Sequence, residues 1–137
     1  MRILAIDLGE KRVGLALSDE LELTAAPLEV VDFKDSQTLI EHICALIKRK
    51  VVRAVIIGLP LNMDGSRGEK AQEAAAFAEL LKETASLPVI LWDERLTSRQ
   101  AQRVLLEGGV SRTQRKRTTD KVAAAVLLQS YLDSQTR

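Results

Sequence analysis

The sequence predicts an α/β protein in which a mixed five-stranded sheet is covered by helices on both faces. Three observations carry this. Residues 2–8, 13–18 and 23–31 are strand-like runs in immediate succession, as in an antiparallel meander. Two later apolar runs, 54–59 and 88–92, alternate with stretches of helical period, the pattern of strands linked by crossover helices. Finally, 137 residues at 46% apolar and 28% charged suit one domain, residues 1–137, with a core of its own.

Taken in order, Ile3 to Ile6 is a buried-strand run interrupted by Asp7, Gly9 permits a tight turn, and Val13, Leu15 and Leu17 alternate. Pro27 places the third strand at a sheet edge or a bulge. Ser36 is expected to cap a helix to about Lys50, with Leu39, Ile43, Leu46 and Ile47 on one face. The run 54–59 is apolar throughout, so it suits a strand buried on both faces. The loop 58–68 is rich in turn formers, and Asn62 and Asp64 are expected to hydrogen-bond its backbone around Asp64-Gly65. A helix over 69–85 turns Ala74, Phe77, Ala78 and Leu81 inward. After the strand ending at Trp92, Thr97 or Ser98 caps a helix to about Glu107, stopped by Gly108-Gly109. Residues 110–117 read as an irregular basic loop, and Thr118 or Thr119 caps a last helix from about Asp120 to Leu132.

The net charge of +1 hides an asymmetry. Acidic residues predominate from Asp19 to Lys50, whereas Arg99, Arg103, Arg112, Arg115, Lys116, Arg117 and Lys121 face only Glu107 and Asp120 in the segment 99–121. A polyanion would therefore meet one end of the molecule. Aromatics at 3% argue against a base-stacking platform. A single cysteine, Cys44, amid apolar neighbours reads as a core thiol and excludes a thiolate metal cluster. No secretory leader and no membrane-length apolar run is apparent, so a cytoplasmic protein without membrane association is expected. His42, lone and in mid-helix, reads as a surface or core-edge residue, which disfavours a Ser-His-Asp or Cys-His hydrolase.

Three carboxylates sit where flanking sequence is apolar: Asp7 within its strand, Glu94 just past another, and Asp120 at the opening of the last helix. Strand carboxyl ends are where open α/β sheets gather ligands. Asp120 shares a helical face with Ala124, Leu127 or Leu128, and Tyr131. An all-oxygen donor set suits Mg²⁺ or Mn²⁺ rather than zinc or copper. Each carboxylate also has an ordinary reading: a turn cap for Asp7, a surface pair with Arg95 or Arg99 for Glu94, a helix-dipole charge for Asp120. Spacing alone does not separate Asp93 from Glu94 as the partner of those arginines.

Four blocks, Asp7-Leu8-Gly9-Glu10-Lys11-Arg12-Val13-Gly14, Gly58-Leu59-Pro60-Leu61-Asn62-Met63-Asp64-Gly65, Asp93-Glu94-Arg95-Leu96-Thr97-Ser98 and Asp120-Lys121, resemble the signature blocks of the YqgF/RuvX family. The match runs from residue 1 to about 133, and the second block is its most distinctive part. The resemblance implies an RNase H-like three-layer α/β/α fold and a catalytic, metal-binding triad of Asp7, Glu94 and Asp120. It implies a metal-dependent endonuclease of the Holliday junction resolvase kind, or alternatively one processing the 5′ end of pre-16S rRNA, leaving 5′-phosphate and 3′-hydroxyl ends. Two Mg²⁺ or Mn²⁺ ions about 4 Å apart would serve an in-line attack. Lys11, Arg12, Arg95 and Lys121 adjoin the carboxylates in sequence and are candidates to stabilise transition-state charge. With Arg99, Arg112, Arg115, Lys116 and Arg117 they form the expected nucleic-acid-binding set, contacting phosphates rather than bases. Branched DNA or precursor rRNA is the expected partner. A resolvase would work as a two-fold homodimer and an RNA trimmer as a monomer.

Two other classes compete. A sugar-kinase or actin-like ATPase also uses an Asp-x-Gly hairpin, but 137 residues hold only one such lobe. The loop 58–68 lacks the Gly-Lys-Ser/Thr ending of a P-loop and reads instead as a flap or a subunit interface. A non-catalytic nucleic-acid-binding module with vestigial carboxylates is the other.

Overall fold

A computed structural model describes residues 1–95 and 112–135, the side chains of 112–121 excepted. Its elements are β1 (Arg2–Leu8), β2 (Arg12–Ser18), β3 (Ala25–Asp32), α1 (Ser36–Lys50), β4 (Val52–Leu59), α2 (Glu69–Ala85), β5 (Val89–Asp93) and α3 (Arg112–Gln135). The strands form one sheet in the order β3-β2-β1-β4-β5. β1 pairs antiparallel with β2 and β2 with β3, whereas β4 runs parallel to β1 and β5 parallel to β4. The expected mixed sheet is therefore present, with Pro27 on edge strand β3 beside a register shift opposite Leu15 and Ala16.

Alternation along the strands sorts the apolar side chains onto two faces. Leu4, Ile6, Val13, Leu15, Val55 and Ile57 pack with Leu39, Ile43, Phe77 and Leu81 of α1 and α2. Ile3, Ala5, Ala16 and Ile56 pack with Ala124, Leu128 and Leu132 of α3. The result is three layers, α/β/α, with β1 and β4 buried between helices. Trp92 fixes α3 to β5, its indole N–H donating to Ser130 Oγ at 3.2 Å and its ring meeting Tyr131 edge-on at 5.3 Å. Gln129 fixes α3 to the start of β3, accepting from the Ala25 N–H and donating to the Leu23 carbonyl.

Two expectations are corrected. The cap of α1 is Asp35, whose carboxylate accepts from the Thr38 N–H at 2.7 Å, so Ser36 is the first helical residue. An ionised carboxylate in this role is held below its usual pKa range by the Thr38 amide and hydroxyl, and it meets the positive end of the helix. The last helix starts at Arg112, so Arg112, Arg115, Lys116 and Arg117 are helical rather than in a loop, and Asp120 lies inside α3 rather than at its opening. No Gly or Pro interrupts 112–135, and Arg, Gln and Lys are good helix formers, so the threonines 118 and 119 do not begin the helix. The helix expected between Thr97 and Glu107 lies outside the described residues, as does Arg99.

Candidate active site

Asp7 is the last but one residue of β1 and faces Gly14 across the antiparallel ladder. By alternation with Ile3 and Ala5 it belongs to the sheet face covered by α3. Glu94 follows β5 directly, and its backbone N–H donates to the Leu59 carbonyl at 3.1 Å, which carries the β4–β5 ladder one residue further. β1 and β5 are not neighbours; β4 lies between them. Asp7 and Glu94 nonetheless meet, because the residue of β4 beneath them is Gly58. A Cβ there would stand 2.7 Å from the Glu94 carboxyl carbon and 2.8 Å from its Cγ and Oε2. The Glu94 side chain thus occupies the space that any other residue at 58 would fill, and from there it hydrogen-bonds Asp7.

Two carboxyl groups so placed cannot both be ionised cheaply. Glu94 has its pKa pushed up to about 9, first by burial, then by the Asp7 charge and the hydrogen bond between them, and least by Asp93. The pair is a charged, oxygen-only donor set at the carboxyl end of parallel strands. It fits a hard divalent cation, which would replace the shared proton and relieve the repulsion. Among the described residues no three His, Cys, Asp or Glu side chains converge. Asp120 is placed in α3 four residues before the buried Ala124, but its side chain is outside the described set, as are those of Arg112, Arg115, Lys116, Arg117 and Lys121.

The structure separates Asp93 from Glu94. Alternation sends the two to opposite faces. Asp93 is the ion-pair partner of Arg95, at 2.7 Å, and is held below the usual carboxylate range by that guanidinium. Arg95 also donates to the Met63 carbonyl at 3.4 Å, so it pins the 58–68 loop beside the carboxylates. Within the loop, Asp64 Oδ1 accepts from the Ser66 N–H and hydroxyl, Asn62 donates to Ser66 Oγ, and Gly65 takes a positive φ of 87°. Asp64 therefore bonds the loop backbone as expected, whereas the Asn62 side chain holds the turn through the Ser66 hydroxyl rather than through the backbone. Arg12 begins β2 and is half-buried, and Lys11 is exposed at the hairpin tip. The Arg12 carbonyl accepts from the Gly9 N–H at 2.9 Å, setting the tip two residues beyond Asp7. His42 pairs with Glu29 of β3 at 2.6 Å, far in sequence and in face from this site.

A cavity of about 530 Å³ lies on the other face of the sheet, against Leu8, Phe33, Lys70 and Phe77. The carboxylate pair does not open into it. The residue that sequence reasoning passed over is Gly58. Its signal was a glycine inside an otherwise apolar strand, a position that costs strand stability and marks a close approach.

A family model described as RuvX, Holliday junction resolvase, matches residues 1–134. A relative from Pelotomaculum thermopropionicum is 45% identical over 138 residues, covering 100% of this chain and 90% of its own. One from Geobacillus kaustophilus is 46% identical over 137 residues, covering 98% and 99%. Both carry the provisional name pre-16S rRNA nuclease. Among solved structures, T. thermophilus RuvC in complex with a Holliday junction substrate superposes with a TM-score of 0.64 at 21% identity, covering 99% of this chain and 96% of that one. The Fowlpox virus resolvase with Holliday junction DNA gives 0.62 at 15% identity over the whole of both chains. These two show a shared fold, and the RNase H-like architecture is as expected.

Proposed function

The chain belongs to the RuvX family, and from that premise we propose that it is a divalent-metal-dependent endonuclease hydrolysing phosphodiester bonds in structured nucleic acid, with Asp7, Glu94 and Asp120 as its catalytic carboxylates. The observation that carries the reading is the meeting of Asp7 and Glu94 over Gly58. Two carboxyl groups buried together, one of them forced to keep its proton, form a costly arrangement that a bound cation would relieve.

The position of α3 supports Asp120 as the third member. Gln129 bonds the N–H of Ala25, which pairs with Ser18, and Ser18 Oγ accepts from the Ile3 N–H. Residue 129 therefore sits at the level of Ile3. Nine residues of helix back to 120 rise about 13 Å. Four residues of strand from Ile3 to Asp7 also rise about 13 Å. The two lengths are alike, which supports position 120 towards the Asp7 end of the sheet, on the turn preceding the sheet-facing Ala124.

Bound Mg²⁺ or Mn²⁺ would polarise a phosphoryl oxygen and supply hydroxide at neutral pH. Asp7, on the central strand β1, and Glu94, which Gly58 admits, would hold the cation with Asp120, and Glu94 would give up its proton to do so. Arg95 holds the Glu94 turn and the 58–68 loop in register, and is a positioning residue as well as a candidate phosphate contact. The basic residues Arg112, Arg115, Lys116, Arg117 and Lys121 would lie along the first half of α3 and bind phosphates, with Lys11, Arg12 and Arg99 completing the set.

The family description favours a four-way DNA junction as substrate. The names of relatives above 40% identity favour the 5′ end of pre-16S rRNA, which would place the enzyme in the cytoplasm. Parallel cleavage of an end-labelled junction and a precursor rRNA fragment, with Mg²⁺, Mn²⁺ or chelator, separates them. Paired symmetric nicks identify a resolvase, and cutting of RNA alone a maturation nuclease. Asp7→Asn cutting like wild type would sink the catalytic assignment.

A further inference from the structure

Six large apolar side chains are exposed among the described residues. Met1, Leu21, Leu23 and Val51 lie where β1 and β4 begin and β2 ends, and Leu80 lines the cavity on the α1/α2 face. Met63 alone of the six follows the carboxyl end of β4, the end of the sheet that carries Asp7 and Glu94. It is also the most exposed of them, at 90%.

The residues around Met63 suit a turn, and Met63 does not. Asn62, Asp64, Gly65 and Ser66 are turn formers. The Gly65 N–H donates to the Asn62 carbonyl at 2.9 Å, which makes Met63 and Asp64 the two central residues of a β-turn. The Asn62 N–H donates in its turn to the Ser66 carbonyl at 2.9 Å, and Arg95, next to Glu94, donates to the Met63 carbonyl. The backbone is therefore tied from several sides, while the side chain it carries buries almost nothing and adds nothing to folding through the hydrophobic effect. A fixed mount for a long, adaptable apolar side chain beside a reacting centre suits a contact made only with substrate.

The surroundings indicate what that contact is. Arg95 and the exposed Arg67 set positive charge in and beside the same loop, so a phosphate backbone is attracted here. The apolar surface that such a backbone carries is the face of its bases, and unbranched or branched apolar side chains part base steps when they enter them. All four aromatic side chains, Phe33, Phe77, Trp92 and Tyr131, pack into the two cores, so none of them is placed to stack on a base at this end. Entry is easiest where stacking and pairing are already interrupted.

We propose that Met63 is a specificity-determining residue, which enters the base stack beside the carboxylates and parts one base step, so that cutting is confined to sites next to a branch or a bulge. The inference rests on the nuclease reading above and deepens it, adding how an interrupted site is told from continuous duplex.

2-Aminopurine, which brightens when it is unstacked, tests this at the base steps flanking the branch of a four-way DNA junction and the bulge of an RNA hairpin. Binding is read with the catalytically silent Asp7→Asn protein. Fluorescence at one step should rise on saturation. Adding Met63→Gln, which keeps length and removes apolarity, should abolish the rise, and adding Met63→Leu should keep it. In the otherwise wild-type chain Met63→Gln should slow cleavage of the interrupted substrate at least about tenfold, with the thermal midpoint unchanged because the side chain is exposed. Saturated binding without a rise on either substrate, a rise that survives Met63→Gln, or cleavage by Met63→Gln at the wild-type rate overturns the proposal and leaves the nuclease reading standing. Wild type that cuts neither substrate overturns the nuclease reading, and this inference with it.

Discussion

Glu94 reaches Asp7 across an intervening strand because Gly58 has no side chain. The contact joins the carboxyl ends of β1 and β5, which the sheet keeps two strands apart, and it leaves no room for a Cβ at 58. A single hydrogen atom on β4 thus decides whether the two carboxylates form one site.

Gly58→Ala should separate site from fold. Alanine is the better strand residue, and the strain falls on Glu94, which must swing off Asp7. A displacement near 1 Å at a reacting group costs about 10²-fold in rate. Cleavage should therefore fall by about two orders of magnitude while the metal-free thermal midpoint changes by only a few degrees. Titration calorimetry with Mn²⁺ should show weakened binding. Full activity in Gly58→Ala would mean that Glu94 works from another position.

The proton on Glu94 makes stability depend on pH in a definite direction. The folded metal-free protein keeps that proton up to about pH 9, whereas the unfolded chain releases it near the ordinary value of 4.5. Between the two the folded state binds more protons, so this contribution is fully present below pH 4.5 and is lost as pH rises toward 9. Thermal melts in chelator should fall across that window. Added Mg²⁺ replaces the proton, so its stabilisation should grow with pH and its binding should release a proton. Melts in chelator that rise between pH 6 and 9 would contradict the carboxyl pair.

Asp7→Asn removes the charge that opposes ionisation of Glu94. The metal-free protein should therefore become more stable at pH 8 and show a shallower pH slope, burial of Glu94 keeping part of it, while cleavage falls by at least about 10²-fold. Asp120→Asn should also abolish cleavage, but with a smaller effect on the metal-free pH slope, because Asp7 and Glu94 already hold each other. Melting curves with and without Mg²⁺ distinguish the two variants, and a mutant that gains stability while losing activity marks its residue as functional.

Much of this was legible from pattern. The alternation Val13, Leu15, Leu17 and the apolar runs around Ile3 and Ile56 place five strands to within one or two residues at most ends, because both are consequences of burial on one face or two. Capping was less legible: Asp35 and Ser36 are adjacent and both are good caps, and only backbone geometry chooses. The start of α3 was misread because a basic run looks like a solvated loop, while its helix propensity is high. Asp7 and Glu94 were legible as charges in apolar surroundings. Their meeting was not, since strand order β1-β4-β5 and the window at Gly58 exist only in three dimensions.

The helical register of the basic segment carries the last prediction. As a loop, 110–117 would present its charges without order. Within α3, positions 112, 115 and 116 stand at i, i+3 and i+4 and share one side of the helix, and 117 does not. The phosphate contacts should therefore divide by register. Replacing Arg112, Arg115 and Lys116 together by Ala should lower the slope of log affinity against log salt by about 3, near one per lost phosphate contact. Arg117→Ala should lower it by much less than one. Binding of a catalytically silent Asp7→Asn protein to end-labelled nucleic acid, measured by filter retention across a salt series, reads the slopes directly. Equal losses at all four positions would show that the segment binds as an unordered cluster rather than as one face of a helix.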